Sequence, residues 1–307
     1  MTSNESPYTL QNLRDWSSEV QVRDIRFGVI GDPVAHSASP PMHNAALKAC
    51  GMAMEYVRIH LRPPELEEGF RLLSLHGFAG VNLTIPHKTA IIPLIDSIDP
   101  SAERLGAVNT VRFENGKSRG YNTDGPGLVR AVLASFGARL GELRVMIIGA
   151  GGGAGRATAI QCAIEGCSEI TLVNRTRSKA EALANSLREV TAGNSARSIR
   201  VIADSSESLS RALADVDIVL QCSSLGMKEG DPSPLPKPAI EARHFVYDTI
   251  YSRRTQLIED AEDTGARCAN GLGMLLHQGA LAFEIWLQRP APVEVMSAAL
   301  KAATGLK

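Results

Sequence analysis

The 307-residue sequence lacks long hydrophobic runs, an excess of either charge and any regular spacing of cysteines. No stretch approaches the roughly 18 to 20 consecutive apolar residues that a membrane-spanning helix needs. The 32 basic and 33 acidic side chains leave a formal net charge of -1, whereas nucleic acid and anionic lipid attract proteins with a broad positive field. We therefore expect neither a membrane nor a nucleic-acid partner.

Five cysteines are scattered through the chain without a CxxC pair. In a chain of this length, that pattern favours reduced thiols over a disulfide framework or a zinc site. No carboxylate or cysteine stands at ligand spacing from His36, His43 or His87, so we expect no metal. Residues 1–24 are polar and lack the apolar core of a signal peptide, which predicts a loosely packed N-terminal extension of a cytoplasmic protein.

The sequence has the composition of an ordinary globular protein, with 44% hydrophobic and 21% charged residues. Its length suggests two domains. Short apolar runs alternate with segments of helical spacing, a pattern typical of βαβ units and of the α/β fold class. The first run, residues 27–30, leads to a helix predicted to start at Ser39, whose hydroxyl would cap the Pro-Pro turn that follows. Residues 272–286 and 292–302 also have helical spacing.

A glycine run at residues 149–155 follows an apolar strand at 144–148 and leads into a helix. Such a run is by itself typical of a flexible loop. Between a strand and a helix, however, glycines let the backbone approach a pyrophosphate at the positive end of the helix. We therefore predict a dinucleotide site that includes Gly149, Ala150, Gly151, Gly152, Gly153 and Ala154.

The end of the next strand indicates which dinucleotide binds. NAD-binding domains usually carry an acid there for the ribose 2′-hydroxyl, whereas this chain has Asn174, Arg175 and Thr176, followed by Lys179. A guanidinium can donate a fork of hydrogen bonds to a 2′-phosphate that a carboxylate would repel. The alternative is a set of solvated basic residues at a helix start. We prefer NADP, with NAD as a secondary cofactor.

Four short polar motifs occur in the first half of the chain, at residues 36–40, 82–88, 107–110 and 122–125. Each has an ordinary structural explanation when taken alone: Ser39 as a helix cap, Lys88 as a surface lysine, and the last motif as a turn. Together they supply hydroxyls, amides, one lysine and one carboxylate, which suits a polyhydroxylated acid as the ligand.

These motifs, the glycine run and residues 271–275 with Gln278 resemble the shikimate dehydrogenase family, which includes the quinate/shikimate dehydrogenases. The resemblance extends from about residue 27 to residue 286 and preserves the order of the motifs. It implies an oxidoreductase of the shikimate pathway of aromatic amino acid biosynthesis. Such an enzyme reversibly reduces 3-dehydroshikimate to shikimate with NADPH.

The resemblance also implies roles for individual residues. Lys88 would donate a proton to the developing alkoxide, and Asp124 would bind a substrate hydroxyl and orient Lys88. Gly271 and Met274 would lie beside the nicotinamide. The positions that match the family's substrate-binding region are Ser37, Ser39, Asn82, Thr84, Asn109, Tyr251 and Gln278.

The architecture that the resemblance implies has an N-terminal α/β catalytic domain, a Rossmann-type doubly wound NADP-binding domain and C-terminal helices that return to the first domain. The substrate would lie in the cleft. We place the extension at residues 1–24, the catalytic domain at 25–125, the NADP-binding domain at 126–270 and the helices at 271–307. The assembly is expected to be a monomer or a homodimer.

Three features depart from the family pattern. The glycine loop before Arg156 is one residue longer, Gln221 stands where the family usually has Asn, and Arg253 stands where many members have Pro. These changes concern the cofactor side and the loops more than the reacting groups. One alternative is a quinate/shikimate dehydrogenase that accepts quinate or NAD. Another is a noncatalytic member that binds the ligand without turning it over. A methylene-tetrahydrofolate dehydrogenase of similar architecture has no motif support.

Overall fold

The structure is a computed structural model that describes residues 6–16, 24–190 and 198–306. The chain forms two compact units: Met1–Asp124 with Leu275–Lys307, and Gly125–Met274. The boundaries predicted from the sequence, 125/126 and 270/271, lie one and four residues from these divisions. Each unit contains one sheet.

A seven-stranded sheet forms the centre of the first unit. Its strands are β1 (Tyr8–Thr9), β2 (Ile25–Gly31), β3 (Glu55–His60), β4 (Gly80–Leu83), β5 (Ser97–Ile98), β6 (Thr110–Glu114) and β7 (Lys117–Tyr121). Their order across the sheet is β1-β3-β2-β4-β6-β7-β5. Strands β1 to β4 run parallel, whereas β6 is antiparallel to both of its neighbours. The helices that connect these strands are α1 (Leu10–Arg14), α2 (Ser39–Ala49), α3 (Leu66–Leu75), α4 (His87–Ala90) and α5 (Pro100–Leu105).

The predicted tight turn between β6 and β7 is confirmed. Asn115 and Gly116 have φ values of 53° and 72°, the left-handed conformation that a two-residue hairpin turn requires at both positions. Asparagine and glycine adopt this conformation most readily. The turn sets the register of the hairpin, in which Thr110 pairs with Tyr121.

The prediction of a loosely packed N-terminal extension is wrong for residues 8–14. Tyr8–Thr9 adds a parallel strand to β3, and the Leu13 side chain on α1 is fully buried in the core of the first unit. Arg14 donates two hydrogen bonds to the Glu68 carboxylate, at 2.8 and 2.6 Å. The polar composition concealed this packing because only Leu10 and Leu13 on the short helix face inward. Residues 1–5 and 17–23 lie outside the described residues.

We expect Leu13→Ala to lower the free energy of unfolding by about 2–5 kcal/mol, because the substitution leaves a cavity where a fully buried side chain packed. Urea unfolding followed by circular dichroism measures this loss. Leu75→Ala is the matched control, since the Leu75 side chain is 70% exposed. Equal midpoints for the two variants would mean that the N-terminal segment does not contribute to the core.

The second unit contains a six-stranded parallel sheet. Its strands are β8 (Val145–Ile148), β9 (Glu169–Val173), β10 (Ser198–Ile202), β11 (Ile218–Gln221), β12 (Phe245–Asp248) and β13 (Arg267–Asn270). Its helices are α6 (Asp124–Phe136), which starts at the unit boundary, α7 (Gly153–Glu165), α8 (Arg177–Val190), α9 (Ser206–Leu213) and α10 (Gln256–Asp263).

The strand order β10-β9-β8-β11-β12-β13 reverses direction between β8 and β11. This is the doubly wound order of dinucleotide-binding domains, in which ligands bind beyond the carboxyl ends of the strands at the point of reversal. The predicted Rossmann-type sheet is confirmed. Sequence reasoning missed β13, whose residues Arg267–Asn270 are only partly apolar.

Two further helices, α11 (Leu272–Leu287) and α12 (Val293–Thr304), complete the chain as the helical spacing predicts. Residues from 275 onward belong to the first unit, where α12 packs on α2. The indole nitrogen of Trp286 donates to the Val111 carbonyl oxygen at 2.9 Å, and its ring stacks on Phe27. A Cβ at Gly80 would collide with this indole, so the glycine makes room for the ring.

Among the described residues, no helix combines the length and the apolar character that a bilayer crossing requires.

Candidate active site

The polar motifs of the first unit converge on one edge of its sheet. Strands β2 and β4 are parallel and β7 has the same direction as β4, so the residues that follow these three strands emerge at the same edge. Asn109 precedes the antiparallel strand β6 and therefore lies there too. The loops after β2, β4 and β7 carry the predicted serines, Lys88 and Asp124.

Lys88 and Asp124 form an ion pair at this edge. Lys88 Nζ donates to Asp124 Oδ2 at 2.7 Å. The lysine side chain is 33% exposed and the aspartate side chain 17% exposed, so the pair is partly shielded from water yet accessible. A lysine beside a carboxylate can donate a proton to a ligand oxygen as an ammonium group, or take one from it as a neutral amine.

Neighbouring groups hold both members of this pair. The buried His87 ring is hydrogen-bonded through Nε2 to the Leu61 carbonyl oxygen at 2.7 Å. The Lys88 carbonyl oxygen accepts from the Val108 N–H at 2.8 Å. The Asp124 N–H, at the start of α6, donates to Asn122 Oδ1 at 3.0 Å. The motif at 122–125 thus orients the carboxylate rather than serving only as a turn.

Asn82, Asn109 and Gln278 form a buried amide network. Asn109 Oδ1 accepts from the Thr123 N–H at 2.7 Å, and Asn109 Nδ2 is 3.4 Å from Gln278 Oε1. Asn82 is 5% exposed; its Nδ2 donates to the Asn109 carbonyl oxygen, and its Oδ1 accepts from the Tyr56 hydroxyl at 2.8 Å. The Asn82 amide is therefore used inside the protein, where it supports Asn109.

The predicted role of Ser39 as a helix cap is wrong. Helix α2 begins at Ser39 itself, and its N-cap residue is Ala38, which has no side-chain capping bond. The Ser39 N–H instead donates to Ser37 Oγ at 3.3 Å. The hydroxyl of Ser39 is thus not used as a cap. Thr84, which follows β4, is half-buried, and its N–H donates to the Ile30 carbonyl oxygen.

Strand β3 contributes residues that sequence reasoning missed. The Tyr56 hydroxyl bonds Asn82, and its ring stacks on His43 with centroids 4.4 Å apart. Burial raises the pKa of Tyr56 and lowers the pKa of His43 to about 3, so both stay neutral at physiological pH. Arg58, two residues along the strand, donates to the Ser37 carbonyl oxygen. The alternation of polar residues on β3 was the sequence signal for them.

The second unit holds a cavity of about 920 Å³ at the carboxyl ends of its strands. Of the predicted cofactor residues, those that line this cavity are Gly149, Gly151, Gly152, Asn174, Arg175, Thr176 and Lys179. Ala150 in the loop and Gly153 and Ala154 at the start of α7 do not line the cavity, and neither do Gly271 and Met274. The cavity is also lined by three residues that sequence reasoning missed: Asp204, Ser205 and Lys228. The position of Asp204 and Ser205 shortly after β10 was a signal for them, because ligands bind beyond the carboxyl ends of the strands.

The glycine loop fits a dinucleotide. Gly149 has φ of 80°, and a Cβ there would lie 2.6 Å from the Ser223 nitrogen, so only glycine is accommodated. A Cβ at Gly155 would collide with the Gly149 carbonyl oxygen, which allows α7 to pack closely against the loop. Helix α7 begins at Gly153, with its first free N–H groups beside the cavity-lining Gly151 and Gly152.

Two kinds of side chain follow β9: an amide that bonds the glycine loop, and cations that line the cavity. Asn174 Oδ1 accepts from the Gly151 N–H at 3.1 Å, so this side chain holds the glycine loop. Arg177 pairs with Glu181 at 2.7 Å and does not line the cavity. Arg175 and Lys179 line the cavity and are in no ion pair within the described part of the chain. They present two positive charges to a ligand.

Gln221 stands where the family usually has Asn, and the structure shows what its longer side chain does. Its buried side chain folds back on the next loop: Nε2 donates to the Leu225 carbonyl oxygen at 2.8 Å, and Oε1 accepts from the Ser223 N–H at 3.0 Å. The longer amide therefore shapes a wall of the cavity. Beside it, Cys222 is buried, and this raises the pKa of its thiol to about 12. Cys222 is thus the inert residue that sequence reasoning expected.

Tyr251, Gly271 and Met274 lie in the second unit and do not line its cavity. Burial raises the pKa of the Tyr251 hydroxyl, so it remains a neutral donor. The Met274 N–H donates to the Tyr247 hydroxyl at 2.9 Å, which fixes the first turn of α11. A Cβ at Gly271 would collide with the Thr249 carbonyl oxygen.

Family models cover most of the chain. Residues 29–111 match the shikimate dehydrogenase substrate binding domain, and residues 271–301 match the shikimate 5'-dehydrogenase C-terminal domain. Residues 145–267 match the saccharopine dehydrogenase NADP binding domain. The cavity-lining residues thus fall inside an NADP-binding match.

Individual proteins agree with the family models. Shikimate dehydrogenase (NADP(+)) of Methanopyrus kandleri is 43% identical over 277 residues, 89% of this chain and 93% of that protein. A crystal structure of a shikimate dehydrogenase in complex with NADP+ superposes with a TM-score of 0.83 at 36% identity, over 92% of this chain and 96% of that one. Shikimate 5-dehydrogenase of Thermus thermophilus, in complex with NADP(H) and shikimate, has a TM-score of 0.78 at 33% identity, over 91% and 99% of the two chains.

Proposed function

This chain belongs to the shikimate dehydrogenase family, and from that premise we propose that Lys88 and Asp124 are its catalytic pair. The enzyme is an NADP-dependent oxidoreductase that reversibly reduces 3-dehydroshikimate to shikimate. The observation that supports the assignment of the pair is the 2.7 Å contact between Lys88 Nζ and Asp124 Oδ2 at the edge of the sheet.

NADPH, when bound, supplies the hydride to the substrate carbonyl carbon. Lys88 donates a proton to the carbonyl oxygen as negative charge develops on it, and takes that proton back in the oxidative direction. Asp124 accepts a hydrogen bond from Lys88 and keeps its ammonium group directed at the reacting oxygen. The partial exposure of the lysine lets it exchange its proton with water between turnovers.

The hydroxyl and amide groups around the pair bind the substrate in this proposal. Ser37 and Ser39 contact the carboxylate, and Thr84, Asn109 and Gln278 contact ring hydroxyls. Tyr251 stays a prediction for substrate binding. The buried bonds of Asn82 support a different role for it: Asn82 holds Asn109 in place rather than contacting the ligand. Fixed, desolvated amides favour a ligand with matching hydroxyls over one that lacks them.

We assign the 2′-phosphate of NADP to Arg175 and Lys179, and the pyrophosphate to the N-terminus of α7. Asn174 acts through Gly151 by shaping the loop. Gly271 and Met274 stay predictions for the nicotinamide end. All five cysteines are free thiols, which supports the proposal that the enzyme works in a reducing compartment such as the cytoplasm.

A four-way assay tests substrate and cofactor together. We expect oxidation of shikimate with NADP to have the highest kcat/KM among the combinations of shikimate or quinate with NADP or NAD, since NADP(+)-dependent shikimate dehydrogenases are the close relatives. The quinate alternative is not favoured on the same ground. Initial rates of reduced-cofactor formation, followed by its ultraviolet absorbance, provide the measurement. Faster quinate oxidation with NAD would contradict the proposal.

A further inference from the structure

Arg58 lies on β3 between Tyr56 and His60, and the period of a strand places all three side chains on one face of the sheet. The Arg58 guanidinium donates twice to one acceptor, the Ser37 carbonyl oxygen, from Nε at 3.1 Å and from Nη2 at 2.7 Å. The guanidinium is therefore held directly against the segment that carries Ser37 and Ser39.

This cation has no acidic partner within the described part of the chain. Several other arginines of the first unit are paired, for example Arg62 with Glu65 and Arg112 with Glu114. The Asp32 carboxylate, at the end of β2, instead contacts His60 at 2.9 Å. Burial lowers the pKa of Arg58, and the only opposing influence comes from Tyr56 rather than from a carboxylate.

Such an arrangement is costly unless an anion completes it. Removing a cation from water without an opposite charge costs free energy, and a backbone carbonyl compensates only in part. The two serines, which are neutral, can orient a carboxylate but cannot balance its charge. The half-buried Arg58 guanidinium, bonded to the Ser37 carbonyl oxygen, can balance that charge.

We propose that Arg58 is the counter-charge for the substrate carboxylate and so determines the preference of this site for an anionic substrate. The proposal rests on the assignment of Ser37 and Ser39 to that carboxylate. Arg58 acts through the Ser37 segment as a positioning residue and through its charge on the substrate. Its charge makes the site discriminate between shikimate and a neutral ester of the same ring.

The test compares shikimate with methyl shikimate in wild-type enzyme, Arg58→Met and Arg58→Lys. We expect Arg58→Met to lower kcat/KM for shikimate by about 10- to 100-fold, through KM rather than kcat, because the lost attraction acts on binding. For the methyl ester the same substitution should change kcat/KM by less than about threefold. Arg58→Lys keeps the positive charge but loses the forked pair of N–H donors. Its kcat/KM for shikimate should therefore lie between those of the wild-type enzyme and Arg58→Met.

Isothermal titration of each variant with shikimate, in the presence of NADP, gives a readout independent of turnover. Arg71→Met is the matched control, because Arg71 is exposed on α3 and loses the same charge away from this edge. Equal losses for shikimate and its ester would show a purely structural role and overturn the proposal, as would no loss for either. Wild-type enzyme that binds neither compound would overturn the proposed function itself, and this inference with it.

Discussion

Lys88→Ala is expected to lower kcat for shikimate oxidation by about 100- to 10,000-fold, the usual contribution of a positioned general acid or base. Without the lysine amine, the proton on the substrate hydroxyl loses the acceptor that this mechanism assigns to it. The hydroxyl and amide groups that hold the rest of the ring remain, so the dissociation constant of shikimate should change little. Steady-state kinetics and titration calorimetry on the same preparation measure the two quantities separately.

Lys48→Ala is the control for this substitution. Lys48 is an exposed lysine near the end of α2, and its removal changes the net charge by the same amount without touching the edge of the sheet. A Lys88→Ala enzyme with undiminished turnover would refute the catalytic role of Lys88. The same loss in binding as in turnover would instead identify Lys88 as a substrate-binding residue.

Arg175→Asp should reverse the preference for the cofactor. We expect kcat/KM for NADP to fall by about 100- to 1,000-fold, because the substitution removes charge-assisted hydrogen bonds and places a carboxylate beside the 2′-phosphate. Activity with NAD should be retained or improved, since an acid at the end of the second strand can accept from the ribose 2′-hydroxyl. Initial rates with both cofactors at saturating shikimate measure the ratio.

Arg177→Asp is a stringent control because it makes the same charge change two residues away. Arg177 lies on the exposed side of α8, paired with Glu181, and does not line the cavity. We expect it to affect the NADP-to-NAD ratio only slightly. If both variants reduced NADP use equally, the selectivity would come from the general positive field of the segment rather than from contact with Arg175.

Local sequence patterns predicted most of the elements that carry the site. The strands at 169–173 and 245–248 have the bounds that the apolar runs predicted, and the glycine run lies between a strand and a helix as expected. These features depend on short-range rules, namely apolar periodicity and the conformational freedom of glycine. The family resemblance, rather than the patterns, pointed to Lys88 and Asp124 as a pair.

What the sequence could not predict depends on contacts between distant residues. The hydrogen bond from Tyr56 to Asn82 spans 26 positions and the bonds from Arg58 to Ser37 span 21, so both require the register of the sheet. The N-terminal segment was misjudged for the same reason, since Tyr8 is recognisable as a strand residue only once Ile59 is beside it. Ser39 was assigned as a cap because serine often caps helices, yet here the helix starts one residue earlier than that role requires.

The first unit is built from both ends of the chain, and this affects the order in which the two units can fold during synthesis. Residues 125–274 form a contiguous unit and can fold as soon as they are synthesised, while the first unit waits for Trp286 to fill the space at Gly80 and for α12 to reach α2. Until then Phe27 and Val111 lack the contacts that Trp286 supplies. The order of completion is therefore the reverse of the order of translation.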